Sequence, residues 1–178
     1  MVTTGEIRLH THTLRDAIPS LRAGDRVLLS GTVYTSRDAA HKRLFALLRE
    51  GAPLPYPLRD SVIYYSGATP AKAGQPIGSC GPTTSGRMDP YAPTLYDLGL
   101  AATIGKGGRS EEVRQAIARN RALYLCAIGG AGALAARCVS ACEVIAFEDL
   151  GCEAVKRLCF QEFPLIVAID SRGDSLFA

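Results

Sequence analysis

A loop bounded by glycines carries three consecutive hydroxyl side chains and then an arginine. It has the sequence Cys80-Gly-Pro-Thr-Thr-Ser-Gly-Arg-Met-Asp89, with hydroxyls on Thr83, Thr84 and Ser85 and the guanidinium on Arg87. Backbone N–H groups, hydroxyls and a guanidinium together suit the recognition of a carboxylate or a phosphate. The segment predicts an anion-binding loop, and the alternative is a polar turn without a ligand.

A second group of residues able to do chemistry lies in Ser36-Arg-Asp-Ala-Ala-His41, where a predicted strand passes into a predicted helix. Arg37 and His41 are four residues apart and share one helix face. Asp38 precedes His41 by three residues and is placed to orient the imidazole. The alternative is a helix capped by Ser36 whose charges face solvent.

A lysine between glycines follows a short predicted strand in Ile104-Gly-Lys-Gly-Gly108. The segment departs from a P-loop, because five residues separate Gly99 from Gly105 and Gly107 stands where Ser or Thr would bind Mg²⁺. ATP or GTP binding is therefore not predicted. Lys106 is still placed to present its ammonium group to an anion.

The segment Gly130-Ala-Gly-Ala-Leu-Ala135 matches the dinucleotide-binding pattern G-x-G-x-x-A, and Glu148 and Asp149 follow at about the spacing of a ribose-binding acid. That pattern normally opens a Rossmann domain, whereas only 43 residues follow Ala135 here. Small residues that pack a helix on a sheet explain the segment better, and dinucleotide binding remains the alternative.

Length and composition indicate one globular domain, or at most two small ones, and we expect a single domain spanning residues 1–178. Hydrophobic residues make up 47% and charged residues 21%, which argues against disorder. The net charge of +3 is too small to indicate a nucleic-acid partner, and the apolar stretches are too short for a membrane span. Residues Met1 to Leu9 contain no apolar signal core, so we expect a cytoplasmic protein.

The six cysteines form no C-x-x-C pair, and five of them lie in the last third of the chain, mostly within apolar runs. Buried free thiols are the simplest interpretation. The spacings match no familiar cluster pattern, so no metal site formed by this chain alone is predicted.

These residues must be positioned by a chain that alternates strand and helix in its second half. The predicted strands are Arg26 to Tyr34, Val62 to Ser66, Ala101 to Ile104, Ala122 to Ala127, Val144 to Phe147, Val155 to Phe160 and Leu165 to Asp170. Gly31 within the first strand predicts either a bulge or a close approach of backbone. The predicted helices are a short one from Leu14 to Leu21 interrupted by Pro19, Arg37 to Glu50, Thr94 to Leu98, one beginning after Ser110, and Ala131 to Arg137. The pattern predicts a layered α/β fold with a mixed sheet.

Taken together, the motifs resemble the β subunit of the two-subunit class I fumarases and L(+)-tartrate dehydratases, equivalent to the C-terminal domain of the single-chain class I enzymes. The resembling stretches cover nearly the whole chain. They are Gly31 to His41, Ile63 to Gly67, Gly81 to Asp89, Ile104 to Gly108 and Phe163 to Asp170. The resemblance implies a swivelling β/β/α domain with three layers and a mixed sheet.

The resemblance also implies a function and its residues. The activity is a hydro-lyase reaction, the reversible hydration of fumarate to L-malate or the dehydration of L-tartrate to oxaloacetate. The catalytic residues are Thr83, as the base, with Lys106 and His41. The substrate-binding residues are Arg37, Gly81, Thr83, Thr84, Arg87 and Lys106.

The partner implied by the resemblance is an α subunit that holds a [4Fe–4S] cluster through its own cysteines, in an assembly expected to be α2β2. Two other functions stay open at this point. One is a binding module that uses the same anion pocket for a dicarboxylate without any cluster-bearing partner. The other is a nucleotide-binding protein that uses Gly130 to Ala135.

Overall fold

The computed structural model describes residues 5–177. Within this range the strands are β1 (Ile7–His10), β2 (Arg26–Thr35), β3 (Val62–Tyr64), β4 (Ala102–Gly105), β5 (Leu123–Cys126), β6 (Val139–Ala146) and β7 (Val155–Ile169). The α-helices are α1 (Leu14–Ala17), α2 (Asp38–Glu50), α3 (Ala92–Asp97), α4 (Glu111–Arg119) and α5 (Gly132–Arg137). Short 3-10 helices cover Thr11–Thr13, Ile18–Ser20, Ser85–Met88 and Glu148–Glu153. In the described part of the chain, no helix combines the length and the apolar character needed to cross a bilayer.

The central sheet closes into a ring. Strands β2, β3, β4 and β5 run parallel in that order, and β7 pairs antiparallel with both β5 and β2. β1 extends the sheet beside β2, and β6 pairs with the first part of β7. The α/β class and the mixed sheet are therefore confirmed, whereas the closure of the sheet was not predicted.

β7 joins two segments that the sequence predicted as separate strands. The pairing with β2 shifts register between Leu29 and Gly31, where Gly31 has φ +108° and Glu162 on the opposite strand has φ +46°. The backbone N–H of Glu162 donates to Ser30 Oγ over 3.0 Å. The bulge predicted at Gly31 is confirmed, and the bend at this point lets one strand of 15 residues continue along the ring.

Side chains alternate between two cores. In β3, Val62 and Tyr64 belong to a cluster with members from every strand of the ring, which fills its interior, while Ile63 belongs to a second cluster outside. In β5, Leu125 faces the interior and Tyr124 the outside. The outer core lies under helices α2, α3 and α4. Burial on both faces explains why these strands are continuous apolar runs rather than alternating ones.

The remaining elements differ from prediction mainly at their ends. α1 stops at Ala17 and continues as a 3-10 turn containing Pro19, as predicted from the missing N–H of proline. Ser110 is the N-cap of α4, and its hydroxyl accepts from the backbone N–H of Val113, as predicted. β1 was missed: its four residues alternate apolar and polar side chains, but the segment is short and three of the four are exposed.

A buried ion pair ties the Gly81 to Asp89 loop to α4. The Arg109 side chain has no exposed surface and its Nε donates to Asp89 Oδ1 over 2.7 Å, while Asp89 Oδ2 accepts from the backbone N–H of Ser110 over 2.6 Å. The guanidinium also lies over the rings of Tyr65 and Tyr124. Asp89 therefore fixes the end of the Gly81 to Asp89 loop.

We expect Asp89→Ala to destabilise the protein by about 3–5 kcal/mol, because it leaves the Arg109 charge buried without its carboxylate. Asp97→Ala is the matched control, since Asp97 pairs with Arg119 where both side chains are about half exposed. That change should cost at most about 1 kcal/mol. Urea unfolding of both variants measures the difference, and equal losses would contradict the anchoring role of Asp89.

Candidate active site

The predicted site residues lie where the parallel strands of the ring end. β2 ends at Thr35, just before Arg37, and β4 ends at Gly105, just before Lys106. Because β2, β3 and β4 are parallel neighbours, their carboxyl ends meet at one edge. Loops at that edge are the usual place for a ligand site in a sheet of this kind.

Backbone hydrogen bonds attach the Gly81 to Asp89 loop, which we call the hydroxyl loop, to the same edge. The N–H of Thr83 donates to the carbonyl of Tyr65 over 2.7 Å, and the N–H of Lys106 donates to the carbonyl of Thr83 over 3.3 Å. The N–H of Ser85 donates to the carbonyl of Lys106 over 2.9 Å. Thr84 forms a parallel bridge with Lys106. The structure therefore brings Thr83, Thr84 and Lys106 together, although 22 residues separate Thr83 from Lys106.

The hydroxyls of the loop have different surroundings. Ser85 is buried, and its Oγ lies 2.9 Å from the hydroxyl of Tyr124, which donates to the carbonyl of Gly107 over 2.7 Å. Thr83 is partly exposed and Thr84 is exposed. Ser85 therefore holds the loop in place, and the two threonines are the hydroxyl residues with surface available to a ligand.

Asp38 connects the two arginines predicted to bind substrate. Arg87 Nε donates to Asp38 Oδ1 over 3.0 Å, and its Nη2 lies 2.9 Å from Oδ2. Arg37 Nη2 lies 3.8 Å from the same Oδ2. The prediction that Asp38 orients His41 is wrong, because its carboxylate is used by Arg87.

Glu153 is a site residue that the sequence did not indicate. Its Oε1 lies 3.5 Å from Arg37 Nη2, and its Oε2 accepts from the backbone N–H of Ala39 over 3.0 Å, at the start of α2. The 3-10 turn that carries Glu153 is held by Lys156, whose Nζ donates to the carbonyl of Cys152 over 2.9 Å. No local pattern could reveal this contact, since 114 residues separate Ala39 from Glu153.

The backbone at Gly67 lies close to the Arg37 side chain and confines it. A Cβ added at Gly67 would lie 2.7 Å from Arg37 Nη1 and 3.1 Å from its Cδ. Arg37 Nε is buried and has no hydrogen-bond partner among the described residues. The side chain as a whole is 20% exposed, so the confined guanidinium still presents some surface to a ligand.

His41 lies inside the protein rather than at the open edge. The side chain has no exposed surface, and it packs against the rings of Tyr65 and Tyr91 at centroid distances of 5.6 and 5.4 Å. Its Nδ1 lies 2.9 Å from both Ser36 Oγ and the carbonyl oxygen of Arg37. Burial lowers the pKa of His41 to about 4, so the ring is neutral at neutral pH.

These contacts fix the tautomer and replace the predicted cap. A carbonyl oxygen only accepts, so Nδ1 of His41 carries the proton, and Nε2 is an unprotonated nitrogen without a hydrogen-bond partner in residues 5–177. Ser36, predicted to cap α2, instead contacts His41, and Arg37 is the N-cap residue. The first turn of α2 is capped from outside by Glu153.

The second glycine-rich segment has a packing role. The backbone N–H of Cys80 donates to the carbonyl of Gly132 over 3.1 Å, and a Cβ added at Gly132 would lie 2.9 Å from the backbone nitrogen of Gly81. α5 has only six residues. The small residues have a packing role, as predicted, but the close contact of Gly132 is with the backbone of the loop at Cys80 and Gly81 rather than with the sheet.

The cysteines do not gather into a ligand set. Cys80 is buried, Cys152 is exposed and the other four are intermediate, so only Cys80 matches the predicted full burial. Burial raises the pKa of the Cys80 thiol to about 12. Within residues 5–177, no three His, Cys, Asp or Glu side chains are grouped so that they could hold a metal ion.

The edge as a whole is suited to binding an anion with two charged ends. Arg37, Arg87 and Lys106 supply three cations beside the Thr83–Thr84 pair. Among the described residues, both arginines contact Asp38 and Lys106 forms no ion pair. Gly81, also predicted to bind substrate, is partly exposed, and its carbonyl accepts from Ser66 Oγ over 3.0 Å.

Comparisons with known proteins identify the relatives of this chain. It is 35% identical over 167 residues to fumarate hydratase 2 of Leishmania major, covering 93% of this chain and 29% of that protein. It is 38% identical over 154 residues to the anaerobic class I fumarate hydratase of Escherichia coli K12, covering 85% and 28%. It is 37% identical over 166 residues to a Methanocaldococcus jannaschii protein named "Putative L(+)-tartrate dehydratase subunit beta", covering 90% and 85%.

The chain thus spans less than a third of the two fumarate hydratases and most of the Methanocaldococcus protein. The family model described as "Fumarase C-terminus" matches residues 2–178, which is nearly the whole sequence. A match of this extent, together with a relative of similar length, settles the family. The chain belongs to the fumarase C-terminus family.

Proposed function

We propose that the chain is the β subunit of a heteromeric hydro-lyase that hydrates fumarate to L-malate or dehydrates L-tartrate to oxaloacetate. The observation that carries this proposal is the grouping of Arg37, Arg87 and Lys106 with the Thr83–Thr84 pair at one edge of the ring. Three cations beside hydroxyls suit a C4 dicarboxylate. The names of the relatives point to the same class of substrate.

In the dehydration direction, the reaction requires removal of a weakly acidic proton from the carbon next to a carboxylate. Negative charge then accumulates on that carboxylate. In this proposal Arg37 and Arg87 bind the two carboxylates and Lys106 neutralises the developing charge. Gly81 contributes backbone to the binding loop, and Thr84 donates its hydroxyl to a carboxylate.

Thr83 is assigned the proton transfer. A threonine hydroxyl is a poor base unless its ionised form is stabilised, so it needs a cation beside it. The backbone contact between Thr83 and Lys106 supports this pairing. His41 is assigned a positioning role instead of proton transfer, because it is fully buried and its Nδ1 contacts the carbonyl of Arg37.

The proposal places the [4Fe–4S] cluster on a partner α subunit. The described residues of this chain do not fit a cluster, since none of their cysteines lies with two other possible ligands around one point. More than two thirds of the sequence of the Escherichia coli and Leishmania fumarate hydratases lies outside the region matched by this chain. In the proposal, the α subunit supplies the equivalent of that larger part. An α2β2 assembly, which the resemblance implies, is included in the proposal.

The swivelling β/β/α description and the single domain over residues 1–178 are also part of the proposal; residues 1–4 and 178 lie outside the described part. Opposite walls of the ring would form the two β layers, and α2, α3 and α4 on its outer core would form the α layer. A cytoplasmic location is supported by six cysteines without a disulfide, which is typical of a reducing compartment.

The test is anaerobic expression of the chain alone and together with the α-type chain of the same genome, recognised by its match to the part of class I fumarases that this chain lacks. The pair should form a complex that turns over fumarate, L-malate or L-tartrate. The isolated chain should show no hydratase activity. An isolated chain that is active and carries iron–sulfur absorbance would overturn the proposed division of roles.

We expect Arg87→Ala to cost roughly 2–5 kcal/mol of transition-state stabilisation in the complex, because it removes a charge-assisted pair with a substrate carboxylate. Arg87→Lys should also be costly, since one ammonium cannot replace a bidentate fork. Arg43→Lys is the matched control, because Arg43 pairs with Asp149 on the exposed side of α2. Values of kcat/KM near wild type for Arg87→Lys would exclude the bidentate role.

Thr83→Ala should lower kcat by about 10²–10⁴-fold, the usual contribution of a general base, with little change in KM. Thr84→Ala is its neighbouring control and should weaken binding more than turnover. The deciding measurement is exchange of the L-malate C3 proton with solvent in the complex. Exchange should stop in Thr83→Ala, and exchange at the wild-type rate would show that another group is the base.

A further inference from the structure

Beside the candidate active site lies an exposed apolar surface, which we call the Ile128 patch and define as Ile128, Ala131, Leu134 and Pro164. Ile128 is 67% exposed and Leu134 61% exposed, the two highest values among the large apolar side chains exposed in the described residues. Between them runs a groove of about 310 Å³. Arg137 is the one charged residue among those that line it.

The patch is continuous with the catalytic edge. Ile128 directly precedes Gly129, where an added Cβ would lie 3.3 Å from Lys106 Cδ and 3.7 Å from Nζ. The helix that carries Leu134 begins at Gly132, which packs on the backbone of Gly81. A body that closes over Lys106 and the hydroxyl loop would therefore also cover the patch.

The patch also borders the start of the described chain. Glu6, Ile128 and Pro164 line a neighbouring groove of about 230 Å³. The family model is described as the C-terminus of fumarase, and the matched region is under a third of the two fumarate hydratases, so we expect most of their chain to precede it. In those relatives, the preceding polypeptide would then join this region beside the groove.

From these three observations we infer that the Ile128 patch is the surface on which the partner α subunit docks. The inference rests on the proposed function and adds to it the place of contact. The small side chains of Ala131 and Ala135 allow a partner to approach α5 closely, and Ile128 and Leu134 supply the large side chains that a partner can enclose. Docking here would put the cluster-bearing chain directly beside Lys106.

The first experiment compares two double variants in the co-expressed complex. Ile128→Asp with Leu134→Asp places two carboxylates in the patch. Leu98→Asp with Val144→Asp introduces the same charges at apolar residues that are 43% and 45% exposed elsewhere on the surface. All four side chains are exposed, so the isolated variants should fold, which circular dichroism and thermal unfolding of each verify.

The patch variant should bind the α-type chain roughly 100-fold more weakly, since two large apolar side chains lose their enclosed contacts. The control variant should bind like wild type. Equal binding by both variants would overturn the inference and leave the proposed function standing. A wild-type chain that forms no complex with the α-type chain would overturn the proposed function and the inference with it.

A second measurement needs no substitution. Hydrogen exchange of backbone amides in residues 127–137 should slow by at least tenfold when the wild-type chain binds the α-type chain, while β6 should keep its rates. Protection confined to other segments would overturn the inference. Sedimentation of the isolated chain tests the other occupant, because a dimer abolished by the patch substitutions, with α binding unchanged, would assign the patch to a second copy.

Discussion

The pairing of β7 with both β2 and β5 is the interaction on which the rest of the structure depends. It closes four parallel strands into a ring and so fixes the directions in which their carboxyl ends point. The bend opposite Gly31 allows a single strand to make these contacts. The parallel order of β2, β3 and β4 brings the loops that carry Arg37, Tyr65 and Lys106 to one edge, and the closure by β7 holds that edge in a fixed curvature.

Carboxylates of the protein itself organise the cations at this edge. Asp38 binds Arg87, Glu153 contacts Arg37, and Asp89 holds the loop through Arg109. An arginine that is already oriented loses less side-chain freedom when a ligand arrives, which favours binding. In the proposed function, a substrate carboxylate would share Arg87 with Asp38. The site is therefore preorganised by ion pairs whose strength limits how firmly each arginine can hold its ligand.

Sequence reasoning identified the residues that gather at this edge more reliably than the contacts between them. The glycine-bounded loop, the Arg37 segment and Lys106 were recognisable because each is a local pattern, and the bulge at Gly31 followed from a glycine within an apolar strand. Ring closure and the contact of Glu153 were not predictable, since both join segments far apart in the chain. The partners of Asp38 and His41 were misjudged for a related reason. Helical spacing shows which residues share a face but not whether that face is buried against Tyr65 and Tyr91.

The charges around the arginines have a consequence for electroneutrality. Arg37, Arg87 and Lys106 oppose Asp38 and Glu153, which leaves one net positive charge at the edge. A dicarboxylate brings two negative charges, so the filled site would carry one uncompensated negative charge if this chain alone surrounded it. Such a charge is costly once water is excluded. A closed site must therefore receive positive charge from the face opposite, and the same imbalance would help expel a dianionic product when the two faces separate.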